Sequence, residues 1–350
     1  MGLTSAASVP GGVLAIDAGN SKTDVAVVAA DGTVLGTARG GGFQPPVVGT
    51  EEAVAGLVPL VAEAARQAGA APGAAPLASY VSACLANADF PVEEERLQAA
   101  LHAHGWGERT HVANDTFAIL RAGVDEPRGV AVVCGAGINC AGLLPDGRTA
   151  RFPAIGRISG DWGGGGFLAE EALWHAARAE DGRGEPSALA TALPAHFGLG
   201  SMAELIEALH LGPVPADRKH ELAPVLFRVA AAGDAVATRI VERQAAEVAV
   251  MAEVTLDRLG LLDEEAVVVL GGGVLAARHP QLMDALHRRL SVTAPKAVTR
   301  VVTAPPVLGA ALLGLDQLAA PPAAHARVRA HYAADAPART EGGPSRAPAS

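Results

Sequence analysis

Two distant stretches of this chain spell the same order of elements, and that repetition is the strongest constraint on its fold. Residues 13–18 form an apolar run ending in an acid and a turn with Gly19, and "TDVAVVAADGTVLGTA" (23–38) then reads as a hairpin turning at Asp31-Gly32. Residues 129–135, "GVAVVCG", repeat the strand and glycine turn, and residues 137–152 repeat the hairpin with its turn near Asp146-Gly147. A duplicated strand, glycine turn and hairpin predicts an α/β fold of two similar domains facing one another across a cleft, with ligands beyond the strand ends.

The segments between fit this reading. Helices are predicted at about 51–69 and 92–104, with strands at about 78–85 and 109–114. Helices dominate 164–259, the longest over about 234–259. A strand at 266–270 runs into Gly271–Gly273, and a helix from about 279, a strand near 298–303 and a helix at 308–319 complete the core. The expected division is a flexible segment at 1–11, a first domain at 12–113 closed by a helix at 306–320, and a second domain at 114–305. A disordered tail is expected at 321–350, rich in Pro, Ala and Arg.

Composition narrows the function. The net charge of −10 argues against a nucleic-acid partner. No apolar stretch reaches the roughly 18 residues that suggest a membrane span, and the N-terminus does not read as a signal peptide. Three cysteines in 350 residues make no disulfide framework, and Cys84, Cys134 and Cys140 read as reduced and mostly buried. A cytoplasmic protein is expected.

Five segments carry candidate chemistry. In "AIDAGNSKTD" (15–24) the P-loop spacing fails, because Ile16 and Ser21 stand where it needs glycines. The G-x-G-x-x-G fingerprint is absent too. Asp17, at the end of a buried strand, suits Mg²⁺ held directly or through water. Gly19, Asn20 and Ser21 can turn N–H groups toward an anion, and Lys22 and Thr23 add a cation and a hydroxyl. An ordinary β-turn is the alternative. "CGAGINCAG" (134–142) repeats the logic with Gly135, Ala136 and Gly137, and Asn139 as a polar group. Gly271, Gly272 and Gly273 suit close approach of an adenosine or phosphate. Asp115, in "HVANDTFAIL", is either a helix N-cap or a general base toward an attacking hydroxyl. Asp161 precedes four glycines, which read either as a loop under a ligand or as a flexible linker.

Taken together, these motifs resemble the BadF/BadG/BcrA/BcrD ATPase family of the actin and hexokinase superfamily, over roughly residues 12–320. The resemblance implies two actin-like, ribonuclease H-like domains around a nucleotide/sugar cleft, and ATP-dependent phosphorylation of the 6-hydroxyl of an amino sugar such as N-acetylglucosamine or glucosamine. It implies Asp17 at Mg²⁺, Gly19 through Thr23 and Gly135–Gly137 at the ATP phosphates, and Gly271–Gly273 near adenosine. Asp115 is implied as base, with Gln44, Asn87, Asn114, Asn139 and Asp161 toward the sugar. Homodimers are common in the family. The chain departs from the pattern at Trp162, where the sugar kinases carry Glu, at Gln44 with Pro45 and Pro46, where an Asn is usual, and at Asn87, where Gly is common. The competing expectation is an ATP-driven activator of 2-hydroxyacyl-CoA dehydratases, which would need exposed cysteines for an iron–sulfur cluster. Type III pantothenate kinases and a non-catalytic sugar sensor fit less of the chain.

Overall fold

In a computed structural model, residues 9–71 and 73–334 are described, and the chain divides into two compact units. The first unit comprises Met1–Glu126 and Thr303–Ser350, the second Pro127–Val302.

The first unit opens with strands β1 (Val9–Ala18), β2 (Thr23–Val28) and β3 (Val34–Gly40). Helices α1 (Pro45–Val48), α2 (Thr50–Ala55) and α3 (Val58–Gln67) follow, then β4 (Ala78–Leu85), α4 (Pro91–Ala103), β5 (Gly107–Asn114) and α5 (Asp115–Gly123). The helix expected over 51–69 is broken into α2 and α3 at Gly56-Leu57, with Pro59 in the first turn of α3. The sheet order is β3-β2-β1-β4-β5, antiparallel across β3, β2 and β1 and parallel from β1 to β5. β1 lies at its centre, so Val13 through Ile16 are fully buried, as an unbroken apolar run requires.

The second unit repeats this plan with β6 (Gly129–Cys134), β7 (Ile138–Leu143), β8 (Thr149–Arg151), β9 (Ala266–Gly271) and β10 (Ala297–Val301). Their order, β10-β9-β6-β7-β8, is that of the first sheet read from its other edge. The expected duplication is therefore present. Between β8 and β9 run α6 (Gly165–Glu180), α7 (Leu189–His196), α8 (Met202–Leu211), α9 (Leu222–Ala231) and α10 (Ala235–Arg258). α11 (Gly273–Ala276) and α12 (Pro280–Thr293) separate β9 from β10.

The chain then returns to the first unit as α13 (Pro306–Gln317) and α14 (Pro322–Ala334). α5 lies in the first unit, so the boundary falls after Glu126 rather than at 113/114. The disordered tail expected from 321 is corrected over 322–334, which form α14. Ala324, Val328 and Tyr332 recur every fourth residue on its buried face, a spacing masked by the surrounding Ala and Arg. The rest of the tail and residues 1–8 lie outside the described residues, while Val9–Gly11 belong to β1.

α13 packs against α5 at minimal distance. A Cβ at Gly309 would lie 1.7 Å from the carbonyl oxygen of Ala118, so no side chain fits there. Beside this contact Arg121 is 1% exposed, yet its charge is matched. Nε and Nη2 donate to Asp316 at 2.7 and 3.1 Å, and Nη1 to the carbonyls of Val124 and Asp125. A buried cation requires such full satisfaction. Gly309→Ala should lower the unfolding free energy by roughly 1–3 kcal/mol, whereas Gly41→Ala, where a Cβ meets no atom within 4 Å, should be nearly neutral; urea denaturation of both variants checks this.

Candidate functional site

In the first unit the parallel strands end in register. Asp17, Cys84 and Ala113 share one row, and Ala18, Leu85 and Asn114 the next. The carboxyl ends of β1, β4 and β5 thus bring Asp17, Asn87, Asn114 and Asp115 to one edge of the sheet. The turn after β1 closes through Gly19 N–H to the Lys22 carbonyl (2.9 Å), and the Phe43 N–H donates to the Gly19 carbonyl (2.9 Å). Asn20, Ser21 and Lys22 are exposed on this turn. Thr23 is not: it is 2% exposed and begins β2, so it sits in the sheet.

Gln44 and Asn87 meet the turn directly. Gln44 Nε2 donates to the Asn20 carbonyl (3.1 Å), and Asn87 Nδ2 donates to Asn20 Oδ1 (3.0 Å) and to the Phe43 carbonyl (3.3 Å). Asn87 adopts φ 62°, a left-handed backbone that Asn tolerates better than most residues. Both amides brace Asn20, which leaves their oxygens to face elsewhere.

Asn114, not Asp115, is the N-cap of α5. Its side chain accepts from the Thr116 N–H (3.0 Å) and donates to Asp89 (2.8 Å), and it is 4% exposed. Asp115 occupies the first helical position, partly exposed by surface area but closely surrounded. Burial raises its carboxyl to about 6, against the opposing pull of first-turn N–H groups. Asp17, 5% exposed, is also raised well above the usual carboxylate range, first by burial and then by Asp115 and Asp24, against Lys22 and Arg39.

Sequence reasoning missed Asp24 and Arg39. Asp24 lies opposite Asp17 and Arg39 opposite Asp24 across β1, β2 and β3. Arg39 Nε and Nη2 grip the Asp24 carboxylate at 2.6 and 2.9 Å. The alternation of an acid in an otherwise apolar β2 was the available signal.

In the second unit three glycine segments converge at the ends of β6 and β9. Asn139, Val133 and Gly271 share a row of the sheet. Gly272 and Gly164 have positive φ, and a Cβ would lie 2.3 Å from the Cys134 oxygen at the first and 2.2 Å from the Gly137 oxygen at the second. Gly165 N–H donates to the Gly135 carbonyl (2.8 Å) and Gly166 N–H to the Ala136 carbonyl (2.9 Å). The four glycines are therefore neither a linker nor a loose loop: they form the docked start of α6. A Cβ at Gly135, Gly137 or Gly273 would meet no described atom within 4 Å, so the outer side of these turns is open to a ligand.

Fully buried Gln244 of α10, also missed, holds this arrangement: its Oε1 accepts from the Gly164 N–H (2.9 Å) and its Nε2 reaches Cys134 Sγ (3.5 Å). In the sequence it is only one more residue of a long helix. Asp161 Oδ2 accepts from the Gly156 N–H (3.1 Å) and from Ser159 Oγ, closing the turn before the glycines. Asn139 Oδ1 accepts from the adjacent Cys140 N–H (2.7 Å). Trp162 is 4% exposed under the Arg243 guanidinium (4.1 Å) with its indole N–H on Glu171, so this departure from the sugar-kinase pattern fills the core.

Two sheets of like order, each followed by a glycine-containing turn after its central strand, give the two-domain α/β architecture of the actin-like fold. The sequence profile of the BadF/BadG/BcrA/BcrD ATPase family matches residues 14–314, and the chain belongs to that family. Membership implies use of ATP. The chain is 26% identical over 286 residues to an N-acetylmuramic acid/N-acetylglucosamine kinase of Clostridium acetobutylicum, covering 81% of this chain and 92% of that protein. It is 27% identical over 207 residues to an N-acetyl-D-glucosamine kinase of Dictyostelium discoideum, 59% of this chain and 65% of that one. A crystal structure from Chromobacterium violaceum, provisionally assigned as an N-acetylglucosamine kinase, superposes with TM-score 0.65 at 23% identity, over 86% of this chain and 98% of that one. A ROK family glucokinase from Streptomyces griseus, solved with glucose and AMPPNP, gives 0.53 at 18% identity, over 88% and 98%. Among the described residues no helix is long and apolar enough to cross a membrane.

Two outcomes follow from the geometry. The native state holds a proton on Asp115 up to about pH 6, above the ordinary value of 3.8, so ionising this group works against folding above that range. Asp115→Asn should therefore raise Tm at pH 7, and the advantage should vanish as pH falls below about 4, as thermal unfolding at several pH values will read. Gly164→Ala, which at positive φ must displace the Gly137 turn, should lower the unfolding free energy by roughly 1–3 kcal/mol; urea denaturation checks it.

Proposed function

We propose that the protein is an ATP-dependent kinase that phosphorylates the 6-hydroxyl of an amino sugar, N-acetylglucosamine or a close relative. The observation that carries the reading is the capping of α5 by Asn114, which leaves the Asp115 carboxylate at a strand end, near enough to Asp17 to raise it, with a pKa of about 6. Such a group can accept a proton near neutrality. The sugar oxygen would attack the terminal phosphorus as its proton passes to Asp115. The bond from that phosphorus to the bridging oxygen would break, and ADP would leave.

Asn20 through Lys22, exposed after Gly19, would offer backbone N–H groups and the Lys22 cation to phosphate, and the turn at 135–137 would offer N–H groups from the second unit. The glycines at 271–273 would admit adenosine. Gln44, Asn87, Asn139 and Asp161 would meet sugar hydroxyls, while Asn114 would act through the cap. Asp17 fits a Mg²⁺ ion, because its burial beside Asp24 and Asp115 concentrates negative charge that a dication would relieve. Among the described residues no set of three acidic, His or Cys side chains forms a metal cage. Mg²⁺ does not need one when phosphate oxygens and waters complete its shell. When bound, it would neutralise charge developing on the phosphates.

The dehydratase-activator reading is not favoured. Cys84, Cys134 and Cys140 are all buried, and burial raises their thiols, that of Cys140 to about 12. Cluster ligation needs thiolates. Free, buried cysteines also fit a cytoplasmic setting.

Purified protein with Mg-ATP should release ADP on addition of one amino sugar from a panel of amino sugars, plain hexoses and pantothenate. Asp115→Asn should lose roughly two or more orders of magnitude in kcat while keeping ATP binding. ATP hydrolysis indifferent to every sugar would overturn the kinase reading.

A further inference from the structure

The segment that matches the family ends at residue 314, and α14 begins at Pro322. This helix is built into the first unit through three contacts. At the β2–β3 turn, a Cβ on Gly32 would lie 2.0 Å from the Ala324 oxygen, so backbone meets backbone there. Arg327 donates to the Asp31 carbonyl (2.9 Å) and pairs with the same residue's carboxylate.

Arg329 reaches the back of α5. Its Nη1 donates to the Ala122 carbonyl (3.0 Å), and its Nη2 to the carbonyls of Arg121 (3.2 Å) and Val124. The last carbonyls of a helix lack partners within it, and a cation there also suits the helix dipole. His325 completes the grip. Its Nε2 lies 2.8 Å from Asp316 Oδ1, on the carboxylate that holds buried Arg121 of α5.

α14 thus holds two things at once: the hairpin that continues from the phosphate turn, and the far end of the helix that carries Asp115 at its first position. At 1.5 Å per residue, α5 is only about 14 Å long. Any slide or tilt at its back end is carried to Asp115.

We infer that α14 is a strap that sets the position of α5, and that Arg329 is a positioning residue for Asp115. The role in catalysis rests on the reading of Asp115 as the base. The strap itself does not.

The test compares Arg329→Met and Arg329→Lys with Leu286→Ala, a cavity variant in the core of the second unit. All are assayed with Mg-ATP and the accepted sugar at a temperature where each is folded. Arg329→Met should lose roughly tenfold or more in kcat, with both KM values within about twofold. Arg329→Lys should recover part of that, and Leu286→Ala should lose stability without losing kcat. Amide exchange should accelerate in α5 of Arg329→Met while β1 and β4 keep their protection. Wild-type kcat in Arg329→Met, or an equal kcat loss in Leu286→Ala, would overturn the positioning role. Unchanged exchange in α5 would overturn the strap, and that readout stands even if no sugar stimulates the wild-type protein.

Discussion

Crowding two carboxylates together at the ends of parallel strands is the constraint on which the first unit turns. Asp17 and Asp115 both have raised proton affinities, and ionising either one costs the fold free energy. The surroundings limit that cost without removing it. Arg39 takes up the charge of Asp24, which would otherwise add a third uncompensated acid to the row. Asn114 caps α5 with a neutral amide. What remains is local negative charge beside an exposed turn at Asn20–Lys22.

The second unit has the same strand order but meets its ligand edge differently. No pair of buried acids stands there. Instead, three glycine segments approach one another at distances that exclude a Cβ, and buried Gln244 fixes them from below. Packing on the inner side is tight and the outer side is open. One topology thus supports two kinds of surface, carboxylates in the first unit and bare backbone in the second, and the difference lies in a handful of residues after the strands.

Much of this was legible in the sequence because it is local and periodic. The two glycine turns, both hairpins and every strand followed from apolar runs and turn residues. Asp17 and Asp115 stood out because an acid after a buried run demands a reason. What escaped reading depends on residues distant in sequence. Asp24 and Arg39 meet only through sheet register, and Gln244 touches a loop 80 residues away. Gln44 and Asn87 are recognisable as polar, but not as braces of Asn20. α14 was misread because its three buried residues are diluted by Ala and Arg, and its stability comes from Asp31, Asp316 and the end of α5, none of which its own sequence reveals.

The adjacent pair Asn114-Asp115 shows how a structural choice sets a chemical one. A carboxylate at the N-cap accepts helix N–H groups and sits at the positive end of the dipole, and both effects lower its pKa. An acid so placed would be too weak a base to take a proton from a hydroxyl near neutrality. With an amide in the cap, the acid moves one position into the helix. There burial outweighs the remaining N–H groups, and the carboxyl rises to about 6. The two side chains differ by one functional group, and exchanging them would keep their size while placing the carboxylate at the cap. Capping, which is ordinarily counted as stability, here also decides which of two adjacent polar residues sits in the helix where burial raises its carboxyl.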